Sequence, residues 1–451
     1  MCKERMGRKR QPEYPTRRHC KVFARAVGTS TGLIFAALGF SREASAQTVL
    51  LQNSSQNFSE AYAYSYVSPQ GVQEMIAPGI ASQSGTMWYA CNQNNNYSGW
   101  YNWNIGYTGD IGDPSGFSRT TTKQAVLVSL QSNQNGPRWY WSNDACPPSG
   151  SPGWYYWNYN TDSTGSVDYT HSAYDPAYDQ MAVTYTQNIN GKRRMVIGRI
   201  SSNFEGFTWY WSGCSNIANH NITVINSTFD ANGDEHIVYK DETSGNIQYE
   251  KYTRTGGFQC INKVIGPWSN NLGSCATCDR PTYQLAGQNT CLRQTWAPSI
   301  AWDDTTGTNL VITYSTPGSG SCQNTSNTRV YQSSDLGNSW SWTMVSGCQN
   351  SLQPRATFSY NYMTQQTDIH VVSIYATQSS SQLAQVDWHS INFGSWSGVY
   401  LTSGRTVTPL SGCYWGDYEG AAFDYSNDVV FYDWGQSGSS TWVLDGLTVT
   451  P

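Results

Sequence analysis

The chain has 451 residues, with 26 Lys and Arg against 31 Asp and Glu, and a formal net charge of −5. Aromatic residues make up 14% and charged residues only 13%, a balance that excludes disordered, collagen-like and coiled-coil chains. The charge is uneven: ten basic residues and three acids lie in 1–46, which leaves 16 basic and 28 acidic residues, a net charge of −12, in 47–451. Such a surface repels nucleic acid and anionic lipid, so neither is expected as a partner.

Residues 1–46 read as an export signal peptide. A basic start is followed by "GLIFAALGF" (32–40) and by "ASA" before Gln47. The apolar stretch is too short to cross a bilayer, and no second one follows, so no membrane span is expected. "TRRHCK" (16–21) resembles a twin-arginine signal, with Cys20 where that pattern has Phe; a Sec signal is the alternative. The expected domains are therefore a leader over 1–46 and one domain over 47–451, exported to the periplasm or the extracellular space and monomeric.

Downstream, short strand patterns dominate. "IAPGIASQSGTMWYAC" (76–91) and "KQAVLVSLQSNQNGPRWYWS" (123–142) alternate or run apolar over strand lengths. A repeat is then legible. "HSAYDPAYDQMAVTYT" (171–186), "NSTFDANGDEHIVYKD" (226–241), "SIAWDDTTGTNLVITYS" (299–315) and "GAAFDYSNDVVFYDW" (420–434) each read strand, Asp turn, strand. "TFSYNYMTQQTDIHVVSIYA" (357–376) is a longer copy with Tyr360 in place of Asp. Asp175, Asp230, Asp303 and Asp424 thus hold one position, where a carboxylate can accept the turn's backbone N–H groups. Repeats of about 50 residues with four short strands predict an all-β propeller. Seven blades are expected, six being the alternative, with starts near residues 76, 123, 168, 221, 298, 355 and 418. "TVLLQNS" (48–54) is placed as the strand that completes the last blade.

Ten cysteines remain after residue 46, an even number that in an exported chain predicts disulfides. Cys260, Cys275, Cys278 and Cys291 are close enough in sequence to raise zinc as an alternative. "DANGDEH" (230–236) begins like a calcium loop but lacks its last acidic ligand. Neither a metal nor a cofactor is expected.

Ser333-x-Asp335-x-Gly337-x-x-Trp340 resembles the Asp box of sialidase-type propellers over its full eight residues. "SSNFEGFTW" (201–209) and "SINFGSW" (390–396) resemble it with one residue added or removed. The resemblance covers most of 47–451. It implies a BNR-repeat propeller and a glycoside hydrolase with a Tyr nucleophile, a Glu partner and carboxylate-binding arginines. Tyr418, Glu419 and Asp417 in "WGDYEG" stand where the last blade begins and are the catalytic candidates. Glu74, Arg119, His171, His220, Trp296 and Arg355 are the substrate-binding candidates, read as residues just before the innermost strands. Arg355 matches a carboxylate-binding arginine, because a guanidinium offers two parallel donors; Arg280 is a weaker one. The Phe-Arg-Ile-Pro signature of sialidases is absent.

The expected function is a sialidase-like hydrolase of extracellular glycans. Two alternatives stand beside it. Exposed Trp and Tyr would suit a lectin or adhesin without catalysis. His171, His220, Tyr418 and Arg355 would suit a polysaccharide lyase, with Arg neutralising a uronate carboxylate and His or Tyr removing the C5 proton. Carbohydrate is the expected partner in each case.

Overall fold

The computed structural model describes residues 48–449 apart from a number of connecting segments, the longest being 93–99, 268–281, 318–325, 377–384 and 402–419. No helix occurs among the described residues. They form seven antiparallel sheets of four or five strands and one two-stranded ribbon, Thr282–Gln284 with Cys291–Arg293. The fold is an all-β propeller. Six of the sheets are meanders of consecutive strands, the seventh takes its outermost strand from the start of the chain, and the innermost strand of each packs on that of the next. Gly420–Phe423, innermost in the seventh sheet, packs against both Asn350–Asn361 and Tyr64–Val67. The chain's ends meet in that sheet, where Thr48–Leu51 pairs with Thr441–Val449 and covers an edge that would otherwise be open.

The sequence pattern explains this packing. Middle strands such as Gln124–Gln131, "QAVLVSLQ", are buried almost throughout, because each sheet is covered on both faces by its neighbours. Alternate residues feed opposite interfaces: Leu127 joins Tyr64, Ile76, Met87 and Tyr140, whereas Val126 and Val128 join Trp139, Met181, Val183 and Val196. Met195 and Ile197 flank Val196 but pack the other way, on Ile222, Ile225 and Ile237. Each such side chain contributes about 1.5–3 kcal/mol by leaving water. Outer strands lack the second cover, and Tyr155–Asn158 is exposed along its whole length.

Three of the four Asp turns take the expected form, and Asp424 lies outside the described residues. Asp175 Oδ1 accepts the N–H of Ala177 at 2.9 Å, Asp230 Oδ1 that of Asn232 at 2.8 Å, and Asp303 Oδ1 that of Thr305 at 3.0 Å. In 333–340, the Gly337 N–H donates to Ser333 Oγ and the Ser339 N–H to Asp335 Oδ1, both at 2.8 Å. Gly337 has φ of +84°, and a Cβ there would meet the Tyr249 hydroxyl, so only glycine fits. Trp340 packs edge-on against Tyr249 of the preceding sheet, centroids 5.2 Å apart. Cys91 and Cys146 form a disulfide joining the first sheet to the loop between the third and fourth strands of the second, and Cys214 is also disulfide-bonded. Cys275 and Cys278 lie outside the described residues; no metal-ligand cluster occurs among the described ones.

Two blade starts differ from the sequence expectation. The first two innermost strands are Phe58–Ala61 continued by Tyr64–Val67, and Asp110–Arg119. The segments from 76 and 123 belong instead to second strands, Gln73–Ala81 and Gln124–Gln131. The first inner strand is interrupted at Tyr62, and the turn after it carries no Asp. The second holds Pro114 and two glycines, which hide a strand pattern.

Candidate functional site

The innermost strands run side by side in one direction, and a polar ladder ties them together. At one level of four of these strands a side chain reaches the next strand one residue further along. Ser115 Oγ and Ser172 Oγ lie 2.9 Å apart, and His171 Nδ1 accepts the Ser227 N–H at 3.4 Å. Asn226 Oδ1 accepts the Ile300 N–H at 3.3 Å, and Ser299 Oγ the Ala356 N–H at 3.4 Å. Ser115, His171, Asn226, Ser299 and Arg355 therefore hold equivalent positions around the axis.

A bulge precedes this level in four of the strands, at Gly112/Ser115, Asp168/His171, Thr223/Ile225 and Leu352/Arg355. Asp113, Tyr169 and Val224 sit in these bulges with φ of 53°, 55° and 47°. For β-branched Val224 this backbone is strained. A bulge re-aims the side chains that follow it. Here it turns polar residues toward neighbouring strands in the middle of otherwise apolar sheets.

His171 and Arg355 are both buried, and Tyr62 joins them from the break in the first inner strand. Tyr62 meets the imidazole edge-on, with centroids 5.8 Å apart. Burial first, and then the nearby Arg355 charge, push the His171 pKa down to about 3, so the ring is neutral. Its Nδ1 accepts a backbone N–H, which places the ring proton on Nε2. That atom is buried with no hydrogen-bond partner among the described residues. Burial raises the Tyr62 phenol, and the Arg355 charge works against the rise. The cluster is thus a guanidinium, a neutral imidazole and a neutral phenol in a dry setting, suited to receiving a carboxylate.

The other candidates lie elsewhere or outside the described residues. Glu74 is on a second strand, paired with Tyr66, and its carboxyl is pushed up to about 8 by burial and then by Asp144. Arg119 closes the second inner strand, at the end opposite to a blade start. Its Nε donates to Asp179 Oδ1 at 2.9 Å and its Nη1 to the Ser202 carbonyl at 2.8 Å. It fastens the second sheet to two turns of the third, and chiefly through that bond it holds the Asp179 carboxyl down at about 2. His220 does precede an inner strand, but its Nδ1 lies 2.7 Å from Asp241 Oδ2. Burial alone would raise Asp241, and the bonds from Ser244 and His220 more than offset it. Trp296, Asp417, Tyr418, Glu419 and Arg280 lie outside the described residues. Of the sequence candidates, then, the structure brings His171 and Arg355 together. It adds Tyr62, Ser115, Asn226 and Ser299, which only a correct register of the first two blades and a count through the bulges would have found.

No family model matches the chain, and no curated protein matches it. Solved structures of similar shape exist. AofleA from Arthrobotrys oligospora is 11% identical with a TM-score of 0.45, over 77% of this chain and 88% of that one. An alpha-L-arabinanase from Penicillium chrysogenum, complexed with arabinobiose, is 9% identical with a TM-score of 0.47, over 78% and 98%. The NanB sialidase from Streptococcus pneumoniae is 10% identical with a TM-score of 0.44, over 89% and 70%. At these values the likeness assigns no activity to the present chain.

Proposed function

We propose that the protein is an exported, seven-bladed, glycan-cleaving propeller acting on sugars that carry a carboxylate. The observation that supports this best is the meeting of Arg355, His171 and Tyr62 at one level of the innermost strands. Arg355 would bind the sugar carboxylate through its paired donors, in a setting where few waters compete. Tyr62 is the least buried of the three, so ligand contact begins there. Hydrolysis would use Tyr418 as the nucleophile, Glu419 to activate it and Asp417 as the acid, since a phenol with a pKa near 10 is a poor nucleophile unaided.

A second reading, elimination, is favoured by the state of His171. A neutral imidazole beside a guanidinium matches a base that removes a proton next to a neutralised carboxylate. Sialyllactose and a polygalacturonate, each incubated with the purified protein and followed by mass spectrometry and ultraviolet absorbance, separate the readings. Hydrolysis gives fragments whose masses sum to the substrate plus one water, without the unsaturated-uronate band; elimination gives fragments that sum to the substrate alone, with the band. Tyr418→Phe should lower kcat on the order of 10²-fold in the first case and His171→Gln in the second. Binding without any product from either substrate overturns the enzymatic reading in favour of a glycan-binding protein.

A further inference from the structure

A second feature lies away from the axis, in the joint between the fourth and fifth sheets. A cleft of about 550 Å³ is lined by Ile265, Gly266 and Pro267 on one side and by Arg329, Tyr331, Trp340 and Trp342 on the other. Trp342 is 55% exposed, although its large apolar ring gains from leaving water. The Arg329 guanidinium lies over the indole, 4.8 Å from its centroid. Arg329 forms no ion pair among the described residues, and its Nε is buried there without a hydrogen-bond partner. Among the described residues, no carboxylate lines the cleft.

The pairing of Arg329 with Trp342 follows a rule repeated in other sheets. Arg329 precedes by two residues Tyr331, which pairs across the sheet with Trp342. Arg138 likewise precedes Tyr140, the partner of Tyr156, and Arg194 precedes Val196, the partner of Trp211. In each case the guanidinium lies over the outer ring, at 5.6 Å for Tyr156 and 4.7 Å for Trp211. The second sheet shows what such an arginine needs once it is covered. Arg138 is ion-paired with buried Asp110 and also donates to Asn158 Oδ1 and the Thr108 carbonyl. The fifth sheet has the same arginine without that internal acid among the described residues.

We propose that this cleft is an accessory site for an acidic sugar ring, whose carboxylate takes the place at Arg329 that Asp110 holds at Arg138, and whose apolar face lies on exposed Trp342. Charge complementarity chooses this occupant over a neutral sugar, because a cation with an unmet donor binds an anion better than a hydroxyl. Indole and sugar-ring faces match in size and polarity, and the volume suits one or two rings. The site shares with the axial reading only its class of ligand and needs no chemistry.

The test is local. With 5-fluorotryptophan incorporated, the ¹⁹F resonance of Trp342, assigned through Trp342→Phe, is followed during titration with tetragalacturonate, with sialyllactose and with carboxyl-reduced tetragalacturonate. The Trp342 resonance should shift with at least one acidic oligosaccharide and respond roughly tenfold more weakly to the reduced one. Whichever acid binds identifies the source, uronate or sialate. Arg329→Ala should bring the acidic ligand down to the level of the reduced one, and Arg329→Lys, which keeps the charge but not the fork, should fall between. A Trp342 signal unmoved by either acid, or moved equally by acidic and reduced ligands, overturns the proposal. Because the readout is binding at one indole, a protein that cleaves nothing still answers it. Loss of this signal with cleavage intact removes the accessory site alone.

Discussion

Two joints of the ring, each between neighbouring sheets, are built on the same plan and finished differently. Between the first and second sheets, the Cys91–Cys146 disulfide, the 2.8 Å bond from the Tyr89 hydroxyl to the Ala145 carbonyl and buried Trp154 seal the joint. Arg138 beside it is neutralised by Asp110, whose carboxylate also accepts from Ser129 and Tyr140. Between the fourth and fifth sheets, Tyr249, Ile265, Tyr314, Tyr331 and Trp340 close the inner part. The outer part is a cleft with Arg329 and Trp342 at its wall. One Arg-over-aromatic unit thus serves stability where an acid is built in, and is left available where none is.

The largest expected effect tests the sealed joint. Arg138→Ala leaves Asp110 buried without its cation, and burial already pushes that carboxyl up. Stability in urea unfolding should fall by about 3–5 kcal/mol. A loss under about 1 kcal/mol would mean that the two joints do not differ as described. Replacing Cys91 and Cys146 together by Ala should cost about 2–4 kcal/mol, since the bond closes a loop with a sequence separation of 55. An unchanged unfolding midpoint under non-reducing conditions would contradict it.

A smaller effect separates the axis from both joints. His171 has a folded pKa of about 3 against an ordinary 6.5, so the unfolded chain takes up a proton that the folded chain refuses. Its contribution is therefore complete above pH 6.5 and is lost as pH falls from there toward 3. The maximum slope is about 1.4 kcal/mol per pH unit. Glu74 acts in the opposite sense: its folded pKa of about 8 makes it a stabilising proton holder that is lost as pH rises from about 4.5 through 8. The two overlap, so the quantity to read is the difference in slope between the protein and His171→Gln, in which Glu74 cancels. Equal slopes between about pH 4 and 6.5 would show that His171 is protonated in the fold. The smallest effect belongs to the open joint. Arg329→Ala should change stability by less than about 1 kcal/mol, because no buried charge loses its counter-ion and the Tyr314 hydroxyl, which Arg329 also meets, keeps its bond to Tyr331; a loss near that of Arg138→Ala would show that Arg329 supports the fold.

Much of the fold is legible in the order of residues alone. The strand–Asp–strand repeat marks the turns at Asp175, Asp230 and Asp303, because a turn that spends a carboxylate on backbone N–H groups leaves a local signature. Ser333, Asp335, Gly337 and Trp340 are legible for the same reason. The first two blades are not, because their inner strands carry an interruption, a proline and glycines, and sequence periodicity fails wherever the backbone leaves the regular pleat. The candidate site divides according to the range of its interactions. His171 and Arg355 can be named from sequence as polar residues near blade starts. Nothing local distinguishes them from Arg119, which holds Asp179, or from His220, which holds Asp241.

Strand periodicity, turn chemistry and the repeat that the fold must accommodate are each set within a dozen neighbouring residues, so the sequence carries them directly. Which arginine meets an acid and which does not is settled by packing in three dimensions. Arg138 and Arg329 stand in the same local pattern, two residues before a tyrosine paired with an outer aromatic ring. Their difference rests on Asp110, 28 residues from Arg138 in sequence and 3.2 Å away in the fold. It also rests on the width of a joint between two sheets, and distances of that kind are fixed by contacts across the ring rather than by the order of residues along the chain.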